Sequence, residues 1–109
     1  MATVDDFLAL DVRVGTVVEA RPLRGARLPA YALVVDFGAL GRKATSARIA
    51  ALYQAEELVG LQVVAIVNLP VKRVAGLDSE VLVLAVEDGR GEQVLLIPER
   101  PVPDGGKVS

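Results

Sequence analysis

The chain has 109 residues, 52% of them hydrophobic, with a formal net charge of −2, no His and no Cys. The length suits one domain, expected to span residues 1–109, with a core but little surplus burial. The missing residue types exclude disulfides, thiol nucleophiles, His-based triads and His- or Cys-ligated metals, and the negative charge disfavours strong, indiscriminate nucleic-acid binding.

The acidic start, Met1-Ala2-Thr3-Val4-Asp5-Asp6, is not a basic secretory leader, and no apolar run approaches the 18 or so residues of a membrane span. A cytoplasmic protein without membrane insertion is expected. Thr3 predicts a helix cap: its hydroxyl can take a free amide, and Asp5 and Asp6 suit the positive end of the helix dipole. Phe7, Leu8 and Leu10 would anchor that short helix. From Asp11 to Ala20 the chain alternates with period two, which predicts a strand with Val12, Val14, Thr16, Val18 and Ala20 toward the core. Gly15 within it predicts a bend or bulge.

Residues 22–30 read as a loop. Tyr31, Leu33, Val35 and Phe37 define the core face of a second strand. After the Gly38–Gly41 turn, Arg42 to Arg48 is a short polar strand, with Arg42, Ala44, Ser46 and Arg48 on one face and Lys43, Thr45 and Ala47 on the other. The stretch Ile49 to Leu58 predicts a helical segment with Leu52, Tyr53 and Leu58 packed and Gly60 ending it. Gln62 to Leu69, rich in Val and Ile, is a strand closed by Pro70. Residues 71–76 read as a loop or single turn carrying Lys72 and Arg73. Glu80 to Val86 and Glu92 to Ile97 pair through the turn Asp88-Gly89-Arg90-Gly91, and a proline-rich tail follows.

Many short strands with a helix between the third and fourth predict an all-β fold, a five-stranded OB-fold barrel with short helices and N- and C-terminal extensions. Strands apolar on both faces, such as Val81-Leu82-Val83-Leu84-Ala85-Val86, need a cover, and a second copy of the chain would supply it.

No arrangement of residues suggests a reaction. Asp5-Asp6, Glu56-Glu57 and Glu87-Asp88 sit where helix starts, exposed helix faces and turns favour acids for local reasons. Gly38-Ala39-Leu40-Gly41-Arg42-Lys43 fits neither a phosphate-binding Walker loop nor a dinucleotide fingerprint, so no cofactor is expected. A binding role remains. Basic residues are uncompensated from Arg21 to Arg48 except by Asp36, and acids dominate from Asp78 onward. Two groups are candidate sites. Asn68, Lys72, Arg73, Ser79 and Glu80 offer amide, cation, hydroxyl and carboxylate at the two ends of one short loop, which suits a peptide backbone or a base edge. Arg42, Lys43 and Ser46 lie on the polar strand, which in such barrels lines the groove. Strand-end hydrogen bonding and a solvated face are the bland alternatives for each group. Aromatic residues are scarce, which disfavours general single-strand binding by base stacking.

Asp11-Val12-Arg13-Val14-Gly15, Val35-Asp36-Phe37-Gly38, Ser46-Ala47, Val67-Asn68-Leu69-Pro70, Lys72-Arg73, Ala75-Gly76 and Ser79-Glu80-Val81-Leu82 follow one another in an order that resembles the tRNA-binding OB domains. Asp5-Asp6-Phe7, Ala26-Arg27 before Pro29-Ala30, and Pro101-Val102-Pro103-Asp104-Gly105 are similar to the terminal signatures of the CsaA-type export chaperones within that group. The resemblance implies a homodimeric OB-fold whose terminal segments build the interface, and chaperone-like binding of unfolded or precursor proteins in bacterial export. It also implies tRNA as an alternative ligand, with Asn68, Arg73, Ser79 and Glu80 lining the site beside Arg42, Lys43 and Ser46.

Overall fold

The computed structural model describes residues 1–109. Helix α1 (Val4–Leu8) precedes β1 (Val12–Pro22), β2 (Tyr31–Asp36) and β3 (Arg42–Ala47). Helix α2 (Ala55–Leu58) leads to β4 (Gln62–Ile66), and the rest is short strands: β5 (Lys72–Val74), β6 (Leu77–Ser79), β7 (Leu82–Val83), β8 (Ala85–Glu87) and β9 (Gln93–Leu95). No helix is long and apolar enough to cross a membrane.

Five antiparallel strands form one sheet in the order β3-β2-β1-β4-β7. The sheet curls until β3 meets the segment entering β7. The Glu80 N–H donates to the Ala44 carbonyl at 2.8 Å, and the Glu80 carboxylate takes the Ala44 N–H at 2.9 Å. The buried Thr45 hydroxyl donates to the Val81 carbonyl at 2.7 Å. This seam nearly closes the five-stranded barrel predicted from the sequence, with α2 between the third and fourth strands as in an OB-fold.

The core contains Tyr31, Leu33, Val35 and Phe37, the face that alternation assigned to β2. Strand β1 differs from expectation. Its register against β2 shifts between Val17 and Glu19, a bulge two residues beyond Gly15. One extra residue reverses the parity of everything beyond it. Gly15 and Val17, which precede the bulge, pair with the core residues Val63 and Val35 and face the interior, and the change of parity lets Ala20, opposite Leu33, rejoin that face beyond it. Val12 and Val14 lie on the opposite face, where they are nonetheless buried.

Three further differences have local causes. Helix α1 has the predicted Thr3 cap: the Asp6 N–H donates to the Thr3 hydroxyl, and the Thr3 N–H to the Asp6 carboxylate at 2.8 Å. Phe7, Leu8 and Leu10 remain exposed, so a cap and a hydrogen-bond clamp hold the helix rather than its own burial. Regular helix before β4 shrinks to Ala55–Leu58; Ile49, Tyr53 and Leu58 pack on the core, whereas Leu52 is exposed. Residues 72–79 form a hairpin, not a loop, with Lys72, Arg73 and Val74 opposite Ser79, Asp78 and Leu77.

The C-terminal tail acts as a further strand. Where β2 parts from β1, the Val14 N–H donates to the Gly106 carbonyl at 2.9 Å, the Gly105 N–H to the Val14 carbonyl at 2.7 Å, and the Val108 N–H to the Val12 carbonyl at 2.8 Å. The Thr16 hydroxyl donates to Asp104 at 2.6 Å, and the Gln62 side-chain amide brackets Val102, donating to its carbonyl and accepting from its N–H. Gly105 is required by this approach: a Cβ there would lie 2.6 Å from the Phe37 carbonyl oxygen.

Candidate functional site

On the outer face of the barrel, Arg21, Ala32 and Ser46 stand side by side across β1, β2 and β3. At about 4.8 Å per strand, Arg21 and Ser46 are roughly 10 Å apart, with only the small Ala32 between them. One side of this row is rimmed by the loop after β1, the other by the β5–β6 hairpin. Where the two rims approach, Arg21, Pro22, Leu23 and Arg24 face Ala75 and Leu77 across a groove of about 530 Å3. This is the size of a small-ligand or side-chain pocket. Its walls are largely apolar, and its two guanidiniums have no carboxylate partner. Arg13, Arg42, Arg73 and Arg100, by contrast, are each paired, with Asp11, Asp36, Asp78 and Glu99.

The predicted site residues are divided among different places. Residues directly opposite in a hairpin share a face, and neighbours alternate. Lys72 and Ser79 thus share the face of Leu77, which lines the groove. The Ser79 hydroxyl accepts from the Ser46 N–H at 3.2 Å and lies 3.1 Å from the Thr45 hydroxyl, so Ser46, Ser79 and Lys72 do come together. Arg73 lies on the other face of the hairpin, bonded to Asp78 across the strands at 2.7 Å. Glu80 is engaged in the barrel seam.

Asn68 is engaged elsewhere. Its carbonyl oxygen accepts from the Asp11 N–H at 2.7 Å, and its amide donates to the Ala9 carbonyl at 2.9 Å. Those bonds clamp the end of α1 to the exit of β4. Arg42 sits at the far end of β3, opposite Asp36 and 3.8 Å from its carboxylate. Lys43 is half-buried on the other face of β3, opposite Val35. Sequence reasoning did not place Arg21 and Arg24 in a site, although the uncompensated basic run beginning at Arg21 was the available signal.

A second concavity of about 390 Å3 lies between Gly60-Leu61-Gln62 and the tail at Ile97 and Pro98. At its rim the Arg100 guanidinium holds the Glu99 carboxyl below its ordinary range by hydrogen bonding. Both groups are fully exposed, so this pair contributes little to stability.

The family model described as "Putative tRNA binding domain" matches residues 12–107. Among solved structures, the chaperone CsaA from Bacillus anthracis is 51% identical, with a TM-score of 0.94 over 100% of this chain and 99% of that one. The CsaA chaperone protein from Picrophilus torridus is 40% identical, with a TM-score of 0.93 over 100% of both chains. The methionine–tRNA ligase of Methanoculleus marisnigri is 39% identical over 108 residues, but the match covers 99% of this chain and only 16% of the ligase. The likeness to the CsaA structures thus runs over the whole chain, and the chain belongs to the tRNA-binding-domain family as a CsaA-type OB-fold.

Proposed function

We propose that the chain, acting as one unit over residues 1–109, is a non-catalytic, chaperone-like binder of unfolded or precursor proteins in bacterial export, working in the cytoplasm as a homodimer. The groove carries this reading: apolar walls at Leu23, Ala75 and Leu77, with the unpaired Arg21 and Arg24 beside them, suit an extended chain presenting an apolar side chain and carboxylates. Ser46, Lys72 and Ser79 extend the polar side of that face, and Glu80 holds the seam that brings the hairpin alongside; Arg42, Lys43, Asn68 and Arg73 lie away from it. The likeness over the whole chain to the structures of CsaA chaperones supports the same reading.

A homodimer is supported by unsatisfied apolar surface. Helix α1 buries nothing and exposes Val4 and Leu8, while Leu82 and Val86 on the late strands and Ile97 just after β9 are about half exposed. Light scattering should report a two-chain mass at micromolar concentration. A one-chain mass would remove the dimer from the proposal.

A tRNA-binding module is the second reading, favoured by the family's description and by the cations Arg21, Arg24 and Lys72 on one face. Parallel titration of the protein with a labelled unfolded preprotein and with labelled bulk tRNA, at two salt concentrations, separates the readings. Preprotein binding that survives salt is the expected result. Tight tRNA binding that collapses with salt, with no preprotein binding, would assign the groove to RNA, because phosphate contacts weaken as counterions compete.

A further inference from the structure

Ala75 is the only non-glycine residue with a positive φ, at 48°. It is the first residue of the two-residue turn between Val74 and Leu77, and Gly76 follows at φ 83°. Turns with both central residues left-handed favour Asn, Asp or Gly at the first position. An alanine is strained there, because its Cβ crowds the following carbonyl and it has no polar group to compensate locally. Its backbone conformation is one that a common alternative residue would adopt more easily.

The same residue lines the groove opposite Arg21 and Arg24. Its methyl is directed at the opposite rim: a Cβ built on Gly25 would meet the Ala75 methyl at 3.9 Å and no other atom. With Gly25 lacking that carbon, the methyl stands as a free apolar wall where the hairpin tip nears the loop. Strained residues retained at a site rim point toward a role there.

We propose that Ala75 is a specificity-determining residue of the groove, kept in a strained conformation so that its methyl selects extended client segments in which an apolar side chain is flanked by carboxylates. This rests on the reading that the groove holds client chain. Arg21 and Arg24 supply the preference for carboxylates, and Ala75 with Leu77 supplies the preference for the apolar side chain.

The test uses the full chain, its Ala75→Asn and Ala75→Gly variants, and a labelled peptide alternating leucine with aspartate. Ala75→Asn should raise the thermal midpoint by about 4 °C, because the turn prefers asparagine. Both variants should bind the peptide about fourfold more weakly, the effect of one methyl's burial. A second peptide with serine in place of leucine should lose its difference between wild type and Ala75→Gly. A midpoint that rises with peptide affinity unchanged would overturn the proposal, as would a midpoint that falls for both variants, which would make the methyl part of the fold. Arg21→Glu/Arg24→Glu distinguishes the two levels of failure. If it abolishes peptide binding while the Ala75 variants retain it, only the role of Ala75 fails. If it leaves peptide binding intact, or if tRNA occupies the groove and peptide does not compete, the client reading fails with it.

Discussion

Gly15→Ala is expected to lower the stability of this domain by about 2 kcal/mol or more, although the same change in an ordinary strand interior gains about 0.5–1 kcal/mol. A Cβ at this position would lie 2.7 Å from Val35 Cγ1, 2.8 Å from the Asp36 carbonyl oxygen and 2.8 Å from Phe37 Cδ1. Val35 and Phe37 are fully buried, and the Asp36 carbonyl belongs to the strand paired with β1. No flexible side-chain end is available to yield. Relief would require β2 to move away from β1, and β2 is held on its other side by its full pairing with β3. Urea denaturation should show a lower midpoint with an unchanged m-value. A neutral or stabilised variant would mean that the core has slack at β1, contrary to the close contacts at Gly15.

The largest functional loss is expected from Arg21→Glu/Arg24→Glu, about 100-fold in affinity for a labelled preprotein at low salt. Hydrogen bonds to charged groups contribute roughly 1.5–3 kcal/mol each, and two are removed here while the sign of the local field is reversed. Screening in an open groove offsets part of that loss. Arg73→Glu provides the contrast. Arg73 is bonded to Asp78 and lies on the hairpin face away from Leu77, so its reversal should change affinity less than about threefold, within the range of exposed ion pairs. Circular dichroism on both variants checks that the barrel is intact. If Arg73→Glu were the more damaging, the ligand would lie on the outside of the hairpin, and the site inferred from sequence position would replace the groove.

Asn68 and Glu80 show why chemical type at a suggestive spacing was a weak guide to role. Both were placed in a binding constellation because amide and carboxylate groups flank one short segment. In the structure, Asn68 satisfies the Asp11 N–H and the Ala9 carbonyl, while Glu80 satisfies the Ala44 N–H. Polar side chains at strand ends have unpaired backbone groups within reach, and leaving those groups unmet inside a small barrel would be expensive. Lys72 has no carboxylate partner and shares the groove face of the hairpin, so it remains available to a ligand.

Sequence alone determined the features whose causes are local. The Thr3 cap needs only Asp6 three residues on, and the Asp88 turn needs its own carboxylate, which accepts from the Arg90 and Glu92 N–H groups at 2.7 and 3.0 Å. The β2 core face is legible because Tyr31, Leu33, Val35 and Phe37 alternate without interruption. Together with the order of strands and the helix before β4, these features sufficed for an OB-fold. Tertiary structure alone decided which face of β1 turns inward, since alternation records a period and not a direction, and a single bulge reverses it. It also decided the groove, because Arg21 and Arg24 meet Ala75 and Leu77 only after β1, β2 and β3 have fixed their register and the seam at Glu80 has drawn the hairpin alongside. Residues some fifty positions apart in sequence share no local signal of that meeting; strand pairing brings them together.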